Sequence, residues 1–499
     1  MASPVAITRT WHIRRLLARA WQALLAFDIS EAELLATQLE RSQVDTIAGP
    51  GTLQCAIAVL RAALLALRDD RTAALALAGQ ANQPFADVQC RALAAMICRW
   101  AHWQAGRLSE FHCVGRAQLR FGSRRCRAIT TIFDLSVEAA LEFGRLRLAV
   151  SGRLAAEALE LARSKACGDS PAGLLAAAFL AQVAYEQGEL REAEVAIRYR
   201  MSLIRASAPL ECAMRAYFIL ARLARHRGRS DSALILLQDA QSLGEKRDWP
   251  RLIAAVLSER VRILLDEGEE TAALSCLNEL EALLGSQPTA SAATRTDIEI
   301  QCQLARLRFR QRHVAPAETA LAVASLRPMA ITRSDLRLAL EMHLISVAAY
   351  AQHGELFEAQ ERLIDALDVG AANGLCMTFV DAGPVVRQLL AGLCHDPSIS
   401  DERVLELRPY IHTLLARFPG SELPTGGTRT CAEDIRQPLT PRESDVLRLI
   451  AGGLSNKRIA QRLDITPETV KSHTKSIFAK MAAQTRAQAV AHGEALGLI

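Results

Sequence analysis

Lys471, Ser472 and Lys475 stand on one face of a helical pattern, with Glu468 and Ala479, at i, i+3, i+4, i+7 and i+11. Two lysines one turn apart, with a serine beside them, suit the floor of a nucleic-acid major groove. A lysine reaches guanine O6 and N7, and a hydroxyl donates or accepts at either kind of base edge. A solvated helix face carries the same residue types, so the opposite face has to discriminate. There Val470, His473, Thr474, Ile477 and Met481 repeat the same spacing as one inward stripe. His473 lies on that stripe and is read as a packing residue.

Such a face needs a rigid support, and the preceding residues can supply one. Ser455 is a cap for a helix over 456–463, with Ile459, Ala460 and Leu463 on its inner side. Thr466 caps the next helix, with Pro467 at its first position, where a missing N–H costs nothing. Ala460, small and ten residues before Val470, allows two helices to cross closely and steeply. Upstream, "LTPRESDVLRLIAGG" places Thr440 and Glu443 as a capping box. Downstream, a fourth helix is expected from about Thr485 to Leu496. Leu439 to Ile499 holds nine Lys/Arg and five Asp/Glu, a net of +4, whereas the whole chain is +5. That concentration of positive charge fits a phosphate-binding module.

The stretch "LTPRESDVLRLIAGGLSNKRIAQRLDITPETVKSHTKSIFAKM", followed by "TRAQAV", closely resembles the four-helix DNA-binding domain of LuxR-type transcription regulators over about sixty residues. The resemblance implies a domain that binds double-stranded DNA as a homodimer, with the third helix in the major groove. Lys471, Ser472 and Lys475 match its base-reading positions. Asn456, Lys457, Thr466 and Thr469 match positions that touch the phosphate backbone. Ala482-Ala483 departs from the glycine and valine usual there.

The other 438 residues carry a net charge of only +1 and are rich in alanine and leucine. "YEQGELREAEVAI" around Gly188 is echoed around Gly228, Gly268 and Gly354, each time with an alanine five residues later: Ala193, Ala233, Ala273 and Ala359. Gly144 with Ala149 and Arg312 with Ala317 extend the series, giving spacings of 44, 40, 40, 44 and 42. Weaker echoes stand at Gly106 and Asp69. The glycine is expected to end one helix in the left-handed conformation. The alanine is expected where the next helix crosses back. Each hairpin leaves a face that only a stacked neighbour can bury. Eight or nine hairpins from about residue 10 to 375 should form a curved superhelix with an inner groove, its first helix over Trp11–Phe27.

This region resembles the superhelical repeat domain of MalT-type regulators, and "LCMTFVDAGPVVRQLLAGL" resembles that domain's final stretch. MalT-type proteins begin with an ATPase domain marked by G-x-x-x-x-G-K-[ST], and no such run occurs in this chain. The expected class is all-α: a TPR-like helical-hairpin solenoid (1–418), a Pro/Gly-rich flexible linker (419–438) and a LuxR-type helix-turn-helix domain (439–499).

No catalytic grouping, cofactor motif or metal-ligand spacing stands out, so an enzyme is not expected. His102 and His112 read as surface or packing residues, and "RFGSRRCRAIT" (120–130) as a loop of solvated charges. The twelve cysteines include no C-x-x-C pair and read as small buried hydrophobes in a reducing cytoplasm. No apolar run reaches the roughly eighteen residues of a membrane span. The reading is a cytoplasmic, sequence-specific DNA-binding transcriptional regulator. Its solenoid groove takes a protein or small-metabolite effector, with a protein favoured by the groove's length; RNA polymerase is a further candidate partner. The alternative is a solenoid adaptor with a weak, non-specific DNA-binding tail.

Overall fold

The computed structural model describes residues 4–25, 28–42, 52–81, 88–116, 124–286, 291–395, 402–419, 441–451, 454–463 and 465–480, with Arg486 and Ala489. Every regular element among them is an α-helix. Two compact units emerge. One holds Met1–Ala196 with Leu203–Ser421, and the other includes Glu422–Ile499. The expected linker and most of the expected fourth helix lie outside the described residues.

The larger unit is a run of antiparallel helical hairpins. They begin with α1 (Pro4–Leu25) and α2 (Ile29–Arg41), α3 (Thr52–Leu67) and α4 (Arg71–Ala81), then α5 (Val88–Gln104) and α6 (Leu108–Cys113). Next come α7 (Arg124–Gly144) and α8 (Leu148–Ser164), then α9 (Pro171–Glu186) and α10 (Leu190–Arg198), with α11 (Met201–Ser207) after them. The series goes on with α12 (Leu210–His226) and α13 (Ser230–Arg247), and α14 (Pro250–Asp266) and α15 (Glu270–Gly285). It closes with α16 (Ala292–Arg310) and α17 (Pro316–Thr332), and α18 (Leu336–Gln352) and α19 (Leu356–Asn373). That makes nine hairpins among the described residues, followed by α20 (Met377–Asp381), α21 (Pro384–His395) and α22 (Glu402–Leu415). First helices stack on first helices, α7 on α9 and α14 on α16, so each hairpin buries its neighbour's face. The first helix starts earlier than expected, and its Trp11 is exposed. Arg124–Thr130, expected in a loop, opens α7.

The repeat signal has a clear backbone cause at four sites. Gly188, Gly228, Gly268 and Gly354 take φ of +79°, +71°, +80° and +82°, a region that penalises a Cβ. Five residues later Ala193, Ala233, Ala273 and Ala359 are fully buried where the returning helix crosses. The weaker echoes follow suit, with Gly106 at +69° and Asp69 at +67°.

Two assignments shift by two residues. The left-handed residue between α7 and α8 is Leu146 (φ +62°), and the buried crossing residue is Ser151, whereas Ala149 is exposed. The Ser151 hydroxyl is accommodated by donating to the Ala139 carbonyl at 2.6 Å. Between α16 and α17 the turn is longer, Thr319 is the buried crossing residue, and Ala317 is exposed. Gly144 has another role. A Cβ there would lie 2.7 Å from the Ser334 carbonyl oxygen, and one on Gly106 2.4 Å from Arg333 Cα. Both glycines let the turn between α17 and α18 press against early hairpins.

The superhelix therefore closes on itself, and the open groove expected from the repeats is largely filled. Arg251 on α14 pairs with Asp69 (2.6 Å), Glu211 (2.6 Å) and Asp297 (2.9 Å). Arg71 on α4 meets Asp297 on α16 at 2.8 Å, and its guanidinium also donates to the Gln104 carbonyl at 3.3 Å. Asp69, Arg71 and Glu211 are nearly fully buried. Burial alone pushes the Glu211 carboxyl up, but the Arg215 and Arg251 guanidiniums beside it hold it well below the usual carboxylate range. Farther along the axis, α20 inserts against α9: the Cys376 and Thr378 N–H groups donate to the Glu186 carbonyl and carboxylate, both at 2.9 Å. What remains of the interior is a cavity of about 300 Å³, lined by charged side chains together with apolar ones such as Phe218, Ile300 and Leu304.

Candidate nucleic-acid interface

The smaller unit is described through α23 (Pro441–Ala451), α24 (Asn456–Leu463) and α25 (Pro467–Lys480). Val446, Leu447 and Ile450 of α23, Ile459 and Ala460 of α24, and Val470 and Ile477 of α25 form one buried cluster, joined by Ala489. Ala460 is 3 % exposed, consistent with the small residue that the helix crossing requires. His473 is half-buried on the inward side.

The turn between α24 and α25 is fixed from both sides. The Ile465 N–H donates to the Ala460 carbonyl at 3.0 Å, and Ile465 packs against the core. Arg442 of α23 donates to the Leu463 carbonyl, satisfying an acceptor at the end of α24. Thr466 caps α25 by accepting from the Thr469 N–H at 3.2 Å. The two threonine hydroxyls also bond to each other at 2.8 Å. Once one hydroxyl hydrogen is used between them, the other can still donate outward.

The rotation of α25 about its axis has a polar determinant. Glu443, expected to close a capping box with Thr440 (outside the described residues), is 4 % exposed and accepts from the Ser476 hydroxyl at 2.5 Å. This bond ties α23 to α25 across the core. Sequence reasoning missed it because Ser476 falls on neither stripe of its helix.

Turned this way, α25 exposes Lys471, Ser472 and Lys475 together. Lys471 pairs with Glu468 one turn back at 2.8 Å, both well exposed, so the pair is weak and exchangeable. Lys457 at the start of α24 and Thr466 are exposed, and Thr469 is half-buried. Asn456 is half-buried and accepts from Arg486 at 2.6 Å, which places a second cation beside that helix start. The arrangement offers ammonium and hydroxyl donors along one ridge, and further donors at two helix N-termini, where partial positive charge favours phosphate.

Comparison with known proteins gives relatives for both units. Residues 55–396 match the family described as MalT-like TPR region, and residues 437–492 match bacterial regulatory proteins of the luxR family. The nitrate/nitrite response regulator protein NarL of Escherichia coli (strain K12) is 55% identical over 60 residues, 12% of this chain and 27% of NarL. The HTH-type transcriptional regulator MalT of Yersinia pestis (strain Pestoides F) is 24% identical over 497 residues, covering 96% of this chain and 54% of MalT. The chain thus spans about half the length of that relative. Among solved structures, a Rap protein complexed with competence and sporulation factor superposes with a TM-score of 0.57 at 12% identity, covering 72% of this chain and 98% of that one. At that identity the likeness speaks for the fold alone.

Proposed function

The chain belongs to the MalT-like TPR family and carries a luxR-family unit, and we propose that it is a sequence-specific DNA-binding transcriptional regulator whose repeat unit senses a signal. One observation carries this reading. The exposed Lys471–Ser472–Lys475 ridge lies on the same helix whose other side, Val470 and Ile477, is fully buried. A helix held in that rotation can enter a major groove with its base-reading side chains forward.

On this reading residues 1–418 sense, 419–438 connect and 439–499 bind DNA. Lys471, Ser472 and Lys475 read bases. Asn456, Lys457, Thr466 and Thr469, with Arg486 behind Asn456, hold phosphates. The protein acts in the cytoplasm, catalyses no reaction, and binds as a dimer through the fourth helix. Two half-sites about one helical turn apart are the geometric consequence. RNA polymerase is the partner through which occupancy could change transcription. The effector site moves from a long open groove to the partly open interior cavity of about 300 Å³, a size that favours a small metabolite over a protein.

Genome-wide mapping of bound DNA, followed by footprinting on the recovered sites, tests the proposal. Paired protection at a shared motif is expected. Uniform, motif-free binding would instead support an adaptor with a non-specific basic tail. Deleting residues 1–418 should abolish the response of occupancy to growth conditions; an unchanged response would remove the sensor role.

A further inference from the structure

α17 differs from other helices that come second in their hairpins. On α13 the solvent side carries Asp231, Asp239 and Glu245, and on α19 it carries Glu358, Glu361 and Asp365. Charge of this kind suits an amphipathic helix at a surface. On α17 the solvent side is Ala317, Leu321, Ala324, Pro328 and Ile331, all exposed, with Leu321 at 71 % and Ile331 at 49 %. Its opposite side is apolar as well: Val323, Leu326 and Ala330 pack into the core of the repeat unit. A helix that is apolar all round is ordinarily buried all round. Here one side of such a helix faces solvent.

The spacing of the exposed residues says what would cover them. They stand four, three, four and three residues apart, which is the seam of a helix that packs lengthwise against another helix. Charge narrows the partner. The charged residues of α17 are Glu318 near its start and Arg327 in its second half, so the face is neutral overall and complements neither an acidic nor a basic partner. Glu318 meets Arg310 at 3.8 Å, both well exposed, a contact that is weak and exchangeable. The face does complement itself when reversed. An antiparallel pairing centred near Ala324 brings the Glu318 end of one helix alongside the Arg327 end of the other and opposes the two helix dipoles. It also sets the bulk of Leu321 and Ile331 against the small Ala324 and Ala317 of the copy. Parallel pairing in register would put leucine on leucine and Glu318 level with Glu318.

We propose that the exposed face of α17 is a self-association surface, on which α17 of a second copy of this chain packs antiparallel. A helix of 17 residues is about 25 Å long, so one such pair makes a small interface and a reversible dimer. The inference goes beyond the regulator reading and does not rest on it, because it concerns the repeat unit alone.

The test is sedimentation velocity of the full chain without DNA. A monomer–dimer equilibrium that shifts toward dimer with protein concentration is expected. Leu321→Glu should weaken it by about tenfold or more, because the pairing would bury an unpaired carboxylate, while the melting temperature stays unchanged. Leu34→Glu on α2, at a site 60 % exposed, should leave the equilibrium unchanged. Cross-linking reads the orientation. A mixture of Ala317→Cys and Ile331→Cys chains should give a disulfide-linked dimer on mild oxidation, above the background of the parent chain's own cysteines, whereas either variant alone should not. If Leu321→Glu does not fold, the cross-linking pair decides. The proposal is overturned if the parent chain is monomeric throughout, which would leave the face to a different protein. It is also overturned if Leu321→Glu dimerises as tightly as the parent chain, or if the mixture cross-links no more than either variant alone. Dimerisation through the fourth helix of the smaller unit would survive Leu321→Glu, so that result strikes this inference and leaves the regulator reading standing. A chain that dimerises through α17 and binds no DNA does the reverse.

Discussion

The two units of this chain use positive charge in opposite ways. In the repeat unit, Arg71, Arg262 and Arg308 are buried and Arg251 nearly so, each paired with a carboxylate: Arg71 and Arg251 across distant hairpins, Arg308 on the next hairpin and Arg262 within its own helix. In the smaller unit, Lys457, Lys471 and Lys475 are exposed along helix surfaces. Burial, not residue type, makes the division, since Arg442, Arg448, Arg458 and Arg462 of the smaller unit are exposed too, yet the buried cations among the described residues are all arginines. Guanidinium, planar and less strongly hydrated, tolerates burial against several carboxylates, whereas a hydrated ammonium on a flexible stem suits contacts made and broken at a surface. The lesson is that a count of basic residues says little about nucleic-acid binding until buried and exposed charges are separated.

The harshest way to break this comparison is to remove a buried charge. Arg251→Ala removes the one cation shared by Asp69, Glu211 and Asp297, leaving them to Arg71, Arg215 and Arg333. It should cost about 3–5 kcal/mol in chemical denaturation of the full chain. A loss below about 1 kcal/mol would mean that water already screens the cluster. Exposed charge should matter to binding instead. Lys471→Ala or Lys475→Ala is expected to cost about 1–3 kcal/mol on a footprinted site and much less on random DNA, while leaving stability within about 0.5 kcal/mol. Lys457→Ala should weaken both kinds of DNA alike. Equal losses on both DNAs for Lys475→Ala would show that it holds phosphate.

Small crossing residues offer a milder test of the corrected repeat register. Ala193→Leu, at a fully buried crossing, should destabilise by about 1–3 kcal/mol through overpacking, whereas Ala149→Leu on an exposed surface should fall within about 0.5 kcal/mol. Equal costs would restore the Gly144–Ala149 pairing. Salt sharpens the contrast further. DNA affinity should fall steeply, with a log–log slope of about 0.9 per phosphate neutralised, while the melting temperature of the repeat unit changes little, because buried pairs are poorly screened.

Acid offers a separate test of the paired charges in the repeat unit. Burial pushes the Glu341 carboxyl up, but Arg308 and Arg337 outweigh it and hold it at about 2, against 4.5 ordinarily. A depressed folded-state value stabilises above 4.5 and loses that contribution as pH falls toward 2. Denaturation midpoints should drop over that window, and less steeply in Glu341→Gln. An identical slope in that variant would place the acid sensitivity elsewhere.

The amino-acid sequence by itself determined what depends on neighbours a few residues apart. Glycine at 188, 228, 268 and 354 announces left-handed turns because other residues pay a steric penalty there. The Thr466–Pro467 start and the two faces of α25 follow from helical periodicity, so the exposed Lys471–Ser472–Lys475 ridge was legible in full. Where a repeat departs from its usual residue the signal failed: Leu146 in a left-handed conformation resembles no turn former, so the register slid by two residues. The tertiary structure alone decided which charges meet. Asp69 finds Arg251, and Tyr185 finds Asp381, only because hairpins far apart in the chain are brought together around one axis. It also decided why Gly144 is a glycine, which is the approach of Ser334 and not its own backbone angle. Small rotations between stacked hairpins accumulate over several repeats, so closure of the superhelix, and with it the interior cavity, depends on a sum that no local pattern records.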